Sequence, residues 1–154
     1  MTRYRRLLVP LLTAGGLAAC AVVGPNTSYV ASLPAPTDAQ VLAGSIGGFL
    51  ATQLPAASTT IAFSPTPQDQ AGNPLTPVLA NTLRQKGFAV AEGSAPPAGA
   101  HTLRYWVTPL DGSGELVRLT IDGRKDASRL FVRTAAGGLQ SGGPFTVIQR
   151  EASP

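Results

Sequence analysis

The sequence predicts an α+β fold: a mixed or antiparallel sheet of five to six strands with two helices on one face, preceded by a lipoprotein signal peptide and a flexible tether. Three observations predict it. Residues 37–54 and 73–86 carry apolar side chains at helical spacing. Strand-like runs at 58–64 and 88–92 bracket the second of these helices. From residue 101 onward, four alternating runs are divided by Asp-Gly and Gly-Gly turns, as expected of hairpins. Helices first and strands afterwards suit a sheet with helices gathered on one side.

The N-terminus has three parts. Arg3, Arg5 and Arg6 form a basic stretch, Leu7 to Ala19 is uncharged and mostly apolar, and Leu17-Ala18-Ala19-Cys20 follows. A basic region, an apolar region and small residues before a cut site mark a secretory signal. The cysteine narrows this further. Its thiol can accept a diacylglyceryl thioether, and the small residues before it let the peptide bond enter a signal peptidase. The rival reading, a spanning helix, needs about 20 apolar residues, and Pro10, Gly15 and Gly16 interrupt this stretch. Residues 1–19 are therefore expected to be a signal peptide, with Cys20 the lipidation site. Residues 20–36 are expected to be a lipidated cysteine and flexible tether, because Pro25, Pro34 and Pro36 oppose regular structure. Residues 37–150 are expected to form a single α+β domain.

Removal of the signal changes the charge. The whole chain has 12 Lys+Arg against 8 Asp+Glu, but three arginines leave with the signal. The mature balance is close to even and holds no Lys/Arg run, so no nucleic-acid partner is expected. Cys20 is the only cysteine. Once lipidated it cannot form a disulfide, so the domain must hold by packing alone.

The elements follow in order. Thr37 reads as a helix N-cap with Gln40 three residues on. Leu42, Ile46, Phe49, Leu50 and Leu54 form the apolar stripe, and Pro55 ends the helix. Gly44, Gly47 and Gly48 each weaken it by roughly 1 kcal/mol relative to Ala, and suit close packing on a sheet or partner. Ser58 to Ser64 is a strand. Asn73-Pro74 opens the second helix, whose stripe is Leu75, Val78, Leu79 and Leu83. Gly87 fits the position after its end, and Phe88 to Glu92 is the next strand.

The sheet then builds up in alternating runs. His101 to Leu110 puts Leu103, Tyr105 and Val107 on one face and Arg104, Trp106 and Thr108 on the other. Asp111 to Gly114 is a hairpin connection. Leu116 to Asp122 puts Val117, Leu119 and Ile121 on one face, Asp122-Gly123 turns the chain, and Ser128 to Thr134 follows. Gly137-Gly138 and Gly142-Gly143 frame the last turn, and Phe145 to Arg150 closes the sheet.

A catalytic constellation is not among these residues. His101 is the sole histidine and reads as a strand-end residue. There is no G-x-S-x-G elbow and no Walker A loop. Asp111-Gly-Ser-Gly-Glu115 lacks the spaced acids of a calcium loop and reads as a turn. No enzyme activity, cofactor or metal site is expected. Arg104, Arg118, Arg129 and Arg133 are expected to share the polar face of the sheet, either as an acidic-partner surface or as solvated cations. Trp106 is a candidate partner anchor beside Arg104, since Trp is enriched at interface hot spots. The alternative for Trp106 is a small cluster under a loop.

The chain resembles the TrbH family of conjugal transfer proteins. The resemblance rests on Leu-Ala-Ala-Cys20, chain length, and Asp38-Ala-Gln-Val-Leu-Ala-Gly. It rests also on Phe49-Leu-Ala-Thr-Gln-Leu-Pro, Asn73-Pro-Leu-Thr-Pro and Lys86-Gly-Phe-Ala-Val. Tyr105-Trp-Val-Thr-Pro-Leu-Asp and the late Gly-Gly-Pro-Phe145 complete it. It implies a lipoprotein component of a conjugative type IV secretion, or mating-pair formation, apparatus, a structural or assembly subunit in plasmid transfer. The expected partners are the bilayer, through the Cys20 acyl chains, and other subunits of a transfer complex. Ala21 stands where an Asp retains many lipoproteins in the inner membrane, so an outer-membrane location facing the periplasm is expected. The competing class is a periplasmic adaptor lipoprotein of a lipid-transport or cell-wall system.

Overall fold

The computed structural model describes residues 27–31, 34–66, 72–91 and 95–150. Residues 1–19, expected to be a signal peptide, and Cys20 lie outside the described residues. The elements run β1 (Tyr29–Val30), α1 (Pro36–Gln53), a 3-10 turn (Ala56–Ser58), β2 (Thr60–Phe63), α2 (Leu75–Gln85) and β3 (Ala89–Ala91). Five strands follow: β4 (His101–Pro109), β5 (Gly114–Ile121), β6 (Lys125–Arg133), β7 (Leu139–Ser141) and β8 (Thr146–Gln149). The fold is α+β, with one mixed sheet and two helices on one face. The sheet has eight strands rather than five to six, because β1 and β7 are additional short ones.

The strand order is β3-β2-β4-β5-β6-β7, with β1 on β4 and β8 on β6. β2 pairs with β3 and with β4 in parallel, and β4, β5 and β6 form an antiparallel meander. One edge of β4 is shared: β2 covers His101 to Leu103, and β1 covers Trp106 and Val107. The outer edge of β6 is shared likewise by β8 and β7. Two hairpins join the meander. Asp111 and Gly112 both have positive φ, as do Asp122 and Gly123, the geometry that Asp-Gly pairs supply at tight turns.

The core lies between sheet and helices. Leu42, Ile46 and Leu50 of α1 and Leu75, Leu79 and Leu83 of α2 are fully buried against Ile61, Leu103, Tyr105, Leu119 and Phe131. Both helical stripes therefore face as their spacing required, with Phe49, Leu54 and Val78 at the margin. A Cβ on Gly47 would come within 3.0 Å of Thr82 Cγ2, so this glycine lets α1 lie close on α2. Gly44 and Gly48 meet nothing. At the end of α2, Gly87 takes φ +91° and Phe88 N–H reaches back to Leu83 O at 3.0 Å. That is a Schellman closure.

Four expectations are corrected. α1 starts at Pro36, with Ala35 before it and no side-chain cap, so Thr37 lies inside the helix. Proline suits the first turn, where its missing N–H is not needed. The proline-bracketed segment read as tether contains β1: Val30 is fully buried, and Ala31 N–H donates to Val107 O at 2.9 Å. β6 begins at Lys125, three residues early, because the Asp122-Gly123 turn is tight enough for Lys125 to pair with Ile121. The four arginines also do not share a face. Arg129 lies opposite Val117 in register, hence on the helix side with Arg133. There β6 runs under α1: Arg133 donates to Asp38 (3.1 Å), Arg129 to Ser45 (2.7 Å) and Lys125 to Gln53 (3.3 Å). The cations at every fourth residue of β6 thus tie the helix to the sheet edge.

Candidate partner-binding face

The helices leave the other face of the sheet open, and the register fixes what it carries. Trp106, Arg118, Ser128 and Thr146 form one row across β4, β5, β6 and β8. Arg104, Thr120, Asp126 and Ile148 form the next. Alternation within each strand sends these side chains away from the core. They line a trough of about 560 Å³, with Arg150 at its rim. A second depression of about 440 Å³, reaching Phe63, Pro65 and Pro96, shares Arg104, Thr120 and Arg150 with the first.

The trough floor is a connected polar chain. Arg104 donates to Thr120 Oγ1 at 3.0 Å, Thr120 donates to Asp126 Oδ1 at 2.8 Å, and Arg150 Nε donates to Asp126 Oδ2 at 2.6 Å. Such charge-assisted bonds hold side-chain geometry more firmly than neutral ones. Asp126 is thereby engaged by Arg150. Arg104 and Arg118 have no carboxylate partner among the described residues, and Arg118 is exposed.

The structure places both sequence-derived candidates, Arg104 and Trp106, in this trough. Trp106 is half-buried: its indole N–H donates to Thr27 O at 2.9 Å, and its ring lies 6.1 Å from that of Tyr29. It therefore pins β1 while one part of the ring lines the trough. Asp126, Ser128, Ile148 and Arg150 were missed. The alternation of β5 already aligned Arg118 and Thr120 with Arg104. The rest needed the pairing of β8 with β6, which no local pattern carries.

His101 Nδ1 lies 2.6 Å from Asp122 Oδ2, while Asp122 Oδ1 accepts from Thr102 N–H at 2.8 Å, so the histidine closes the β4–β5 end at the turn. Under α1, Glu115 and Asp38 are both buried beside Arg133. Burial pushes the Glu115 carboxyl above the usual range; Arg133 draws it down and Asp38 pushes it up. Tyr105 is buried with its hydroxyl bonded to Asn73 and Thr76, and burial raises its phenol. Among the described residues, no group of three or more His, Cys, Asp or Glu could hold a metal ion, and no helix is long and apolar enough to cross a membrane.

Comparison with curated proteins and with solved structures finds no match. A family model, Conjugal transfer protein TrbH, matches residues 23–151, which covers all of the described fold. The chain thus belongs to the TrbH family of conjugal transfer proteins.

Proposed function

We propose that the protein is a membrane-anchored lipoprotein of a conjugative type IV secretion apparatus and serves there as a structural or assembly subunit rather than an enzyme. The family match over residues 23–151 carries this reading. The Leu17-Ala18-Ala19-Cys20 site supports lipidation after loss of residues 1–19, and Ala21 supports an outer-membrane location facing the periplasm. The tether is shorter than the prolines imply, because Thr27 already bonds to Trp106. Six residues separate Cys20 from Thr27, which makes seven Cα-to-Cα steps. At about 3.5 Å each they reach at most about 25 Å. The domain therefore stands close to the lipid surface, with Trp106 and Arg104 on its open face available to other subunits of the complex.

Gene deletion in the donor tests this. Plasmid transfer falls while donor growth is unchanged, a wild-type copy restores transfer, and a Cys20→Ser copy does not. Cys20→Ser also loses fatty-acid labelling. The tether acts through effective concentration near its partners, and several acyl chains are needed for a stable anchor because each CH₂ contributes only about 0.8 kcal/mol. Transfer at wild-type frequency in the deletion strain rejects the reading and returns the periplasmic adaptor in its place.

A further inference from the structure

We propose that the trough on the open face binds an acidic, leucine-bearing polypeptide segment of another protein, with its carboxylates on Arg104 and Arg118 and its apolar side chains against Trp106 and Ile148. The inference deepens the subunit function proposed above and rests on it for the biological setting.

Charge carries the argument first. Among the described residues the trough holds three arginines and one carboxylate, and that carboxylate is taken by Arg150 and Thr120. Arg104 and Arg118 sit on adjacent strands, diagonal across the Trp106–Arg118 pair. Diagonal neighbours lie about 7–8 Å apart. Two uncompensated cations at that spacing repel in the free protein, and an anion placed between them relieves both. Arginine suits the task, because its planar fork meets a carboxylate with two parallel bonds.

The apolar part is equally specific. Ile148 is 61% exposed in a strand whose four residues are all exposed. With the half-buried Trp106 on β4, it gives the trough an apolar group on each of its two flanking strands. The hydroxyls of Ser128 and Thr146 also line it, in the same cross-strand row as Arg118.

A concave site of about 560 Å³ takes side chains rather than a flat bilayer. Nucleic acid would require a longer run of cations than two arginines without a carboxylate partner among the described residues.

Trp106 is the only tryptophan in the chain, so its fluorescence reports the site directly. The full chain in neutral detergent micelles is titrated with a synthetic Glu-rich peptide carrying leucines, and with its Lys-for-Glu counterpart. The acidic peptide shifts Trp106 emission, added salt weakens the effect, and the basic peptide leaves emission unchanged. Arg118→Glu weakens acidic-peptide binding by about tenfold or more, as expected when a like charge faces the ligand. Arg118 is exposed and makes no ion pair among the described residues, so the variant melts with the wild type. Ile148→Ser, at an exposed position, is the second variant and also weakens binding. No response to the acidic peptide, an equal response to both peptides, or undiminished binding by both variants overturns the proposal. So does a larger Trp106 response to phosphatidylglycerol vesicles than to peptide, which would assign the face to lipid. The titration requires no conjugation, so its failure leaves the transfer experiment untouched, and wild-type transfer after deletion leaves the titration standing.

Discussion

The indole N–H of Trp106 donates to the backbone carbonyl of Thr27, 79 residues away in sequence, at 2.9 Å. With Tyr29 stacked obliquely on the ring, this bond fastens the start of the described chain to the centre of the sheet. Trp106→Phe keeps most of the ring and removes the donor. It lowers stability by about 1 kcal/mol, the usual net worth of one hydrogen bond. Trp106→Ala removes the ring as well. Full burial would put the loss at about 3–5 kcal/mol, and a half-buried ring gives about half that. Thermal melts of the two variants check the order. Identical melting of Trp106→Ala and wild type would free Trp106 from any role in holding β1.

Gly114 tests the β4–β5 hairpin. A Cβ there would lie 1.9 Å from the carbonyl oxygen of Phe131, a backbone atom that cannot swing aside. Gly112 is the control: its φ is +77°, but nothing lies within 4 Å of a Cβ. Gly112→Ala should lose about 1 kcal/mol through its left-handed backbone alone. Gly114→Ala loses more, because β5 and β6 must separate to admit the methyl. Denaturant titration of both variants checks this, with the larger fall in midpoint expected for Gly114→Ala.

Much of this architecture was legible in the sequence, and the exceptions share a cause. Leu42, Ile46 and Leu50, or Leu75, Leu79 and Leu83, announce themselves because a long helix repeats its signal. β1 has two residues between prolines and no period. It exists because the edge of β4 beyond β2 offers unpaired backbone at Trp106 and Val107. The same holds for β7 on β6. Arg129 and Arg133 seemed to belong with Arg104 and Arg118, since a cation on the core side is ordinarily unfavourable. Their partners, Ser45 and Asp38, come from a helix more than 80 residues earlier. The candidate site divided similarly: Arg104, Trp106 and Arg118 follow from alternation, whereas Asp126, Ile148 and Arg150 join them only through tertiary pairing.

Tyr105 links the sheet to the entry of α2. Its hydroxyl accepts from Asn73 Nδ2 at 3.3 Å and shares a short hydrogen bond with the Thr76 hydroxyl. Asn73 Oδ1 in turn accepts Leu75 N–H at 2.9 Å, capping the helix. Tyr105→Phe keeps the buried ring and leaves Asn73 and Thr76 short of a partner. The expected loss is about 1–3 kcal/mol, the penalty for stranding a buried polar group. Asn73→Ala loses the cap and one of the two bonds to Tyr105. The double variant loses less than the sum of the two, since they share an interaction. A double-mutant cycle on thermal melts reads this directly, and strict additivity would show that the two groups act independently.

Glu115 makes the stability of the domain depend on pH. Its side chain is buried beside Arg133 and Asp38, and Oε2 has no hydrogen-bond partner among the described residues. Two acids share one guanidinium, which bonds Asp38 at 3.1 Å and reaches Glu115 only at 3.7 Å. Burial is the largest influence and raises the folded-state pKa of Glu115 above its unfolded value. The folded protein then binds a proton that the unfolded chain has released. The associated stability is fully present below the unfolded value, about 4.3, and is lost as pH rises through the folded one. Glu115→Gln retains shape and removes the charge. It melts higher than wild type at about pH 8, and the difference narrows as pH falls toward about 4. Arg133→Gln has the opposite effect. Arg133 holds the Glu115 pKa down, so its removal raises that pKa further and enlarges the stability lost above it. This variant also leaves Asp38 without its ion-pair partner, so α1 loosens from β6 at its N-terminal end. Circular dichroism melts across the pH range, on wild type and both variants, check the prediction. A melting difference between Glu115→Gln and wild type that stays constant with pH would mean that Glu115 has the same pKa folded and unfolded.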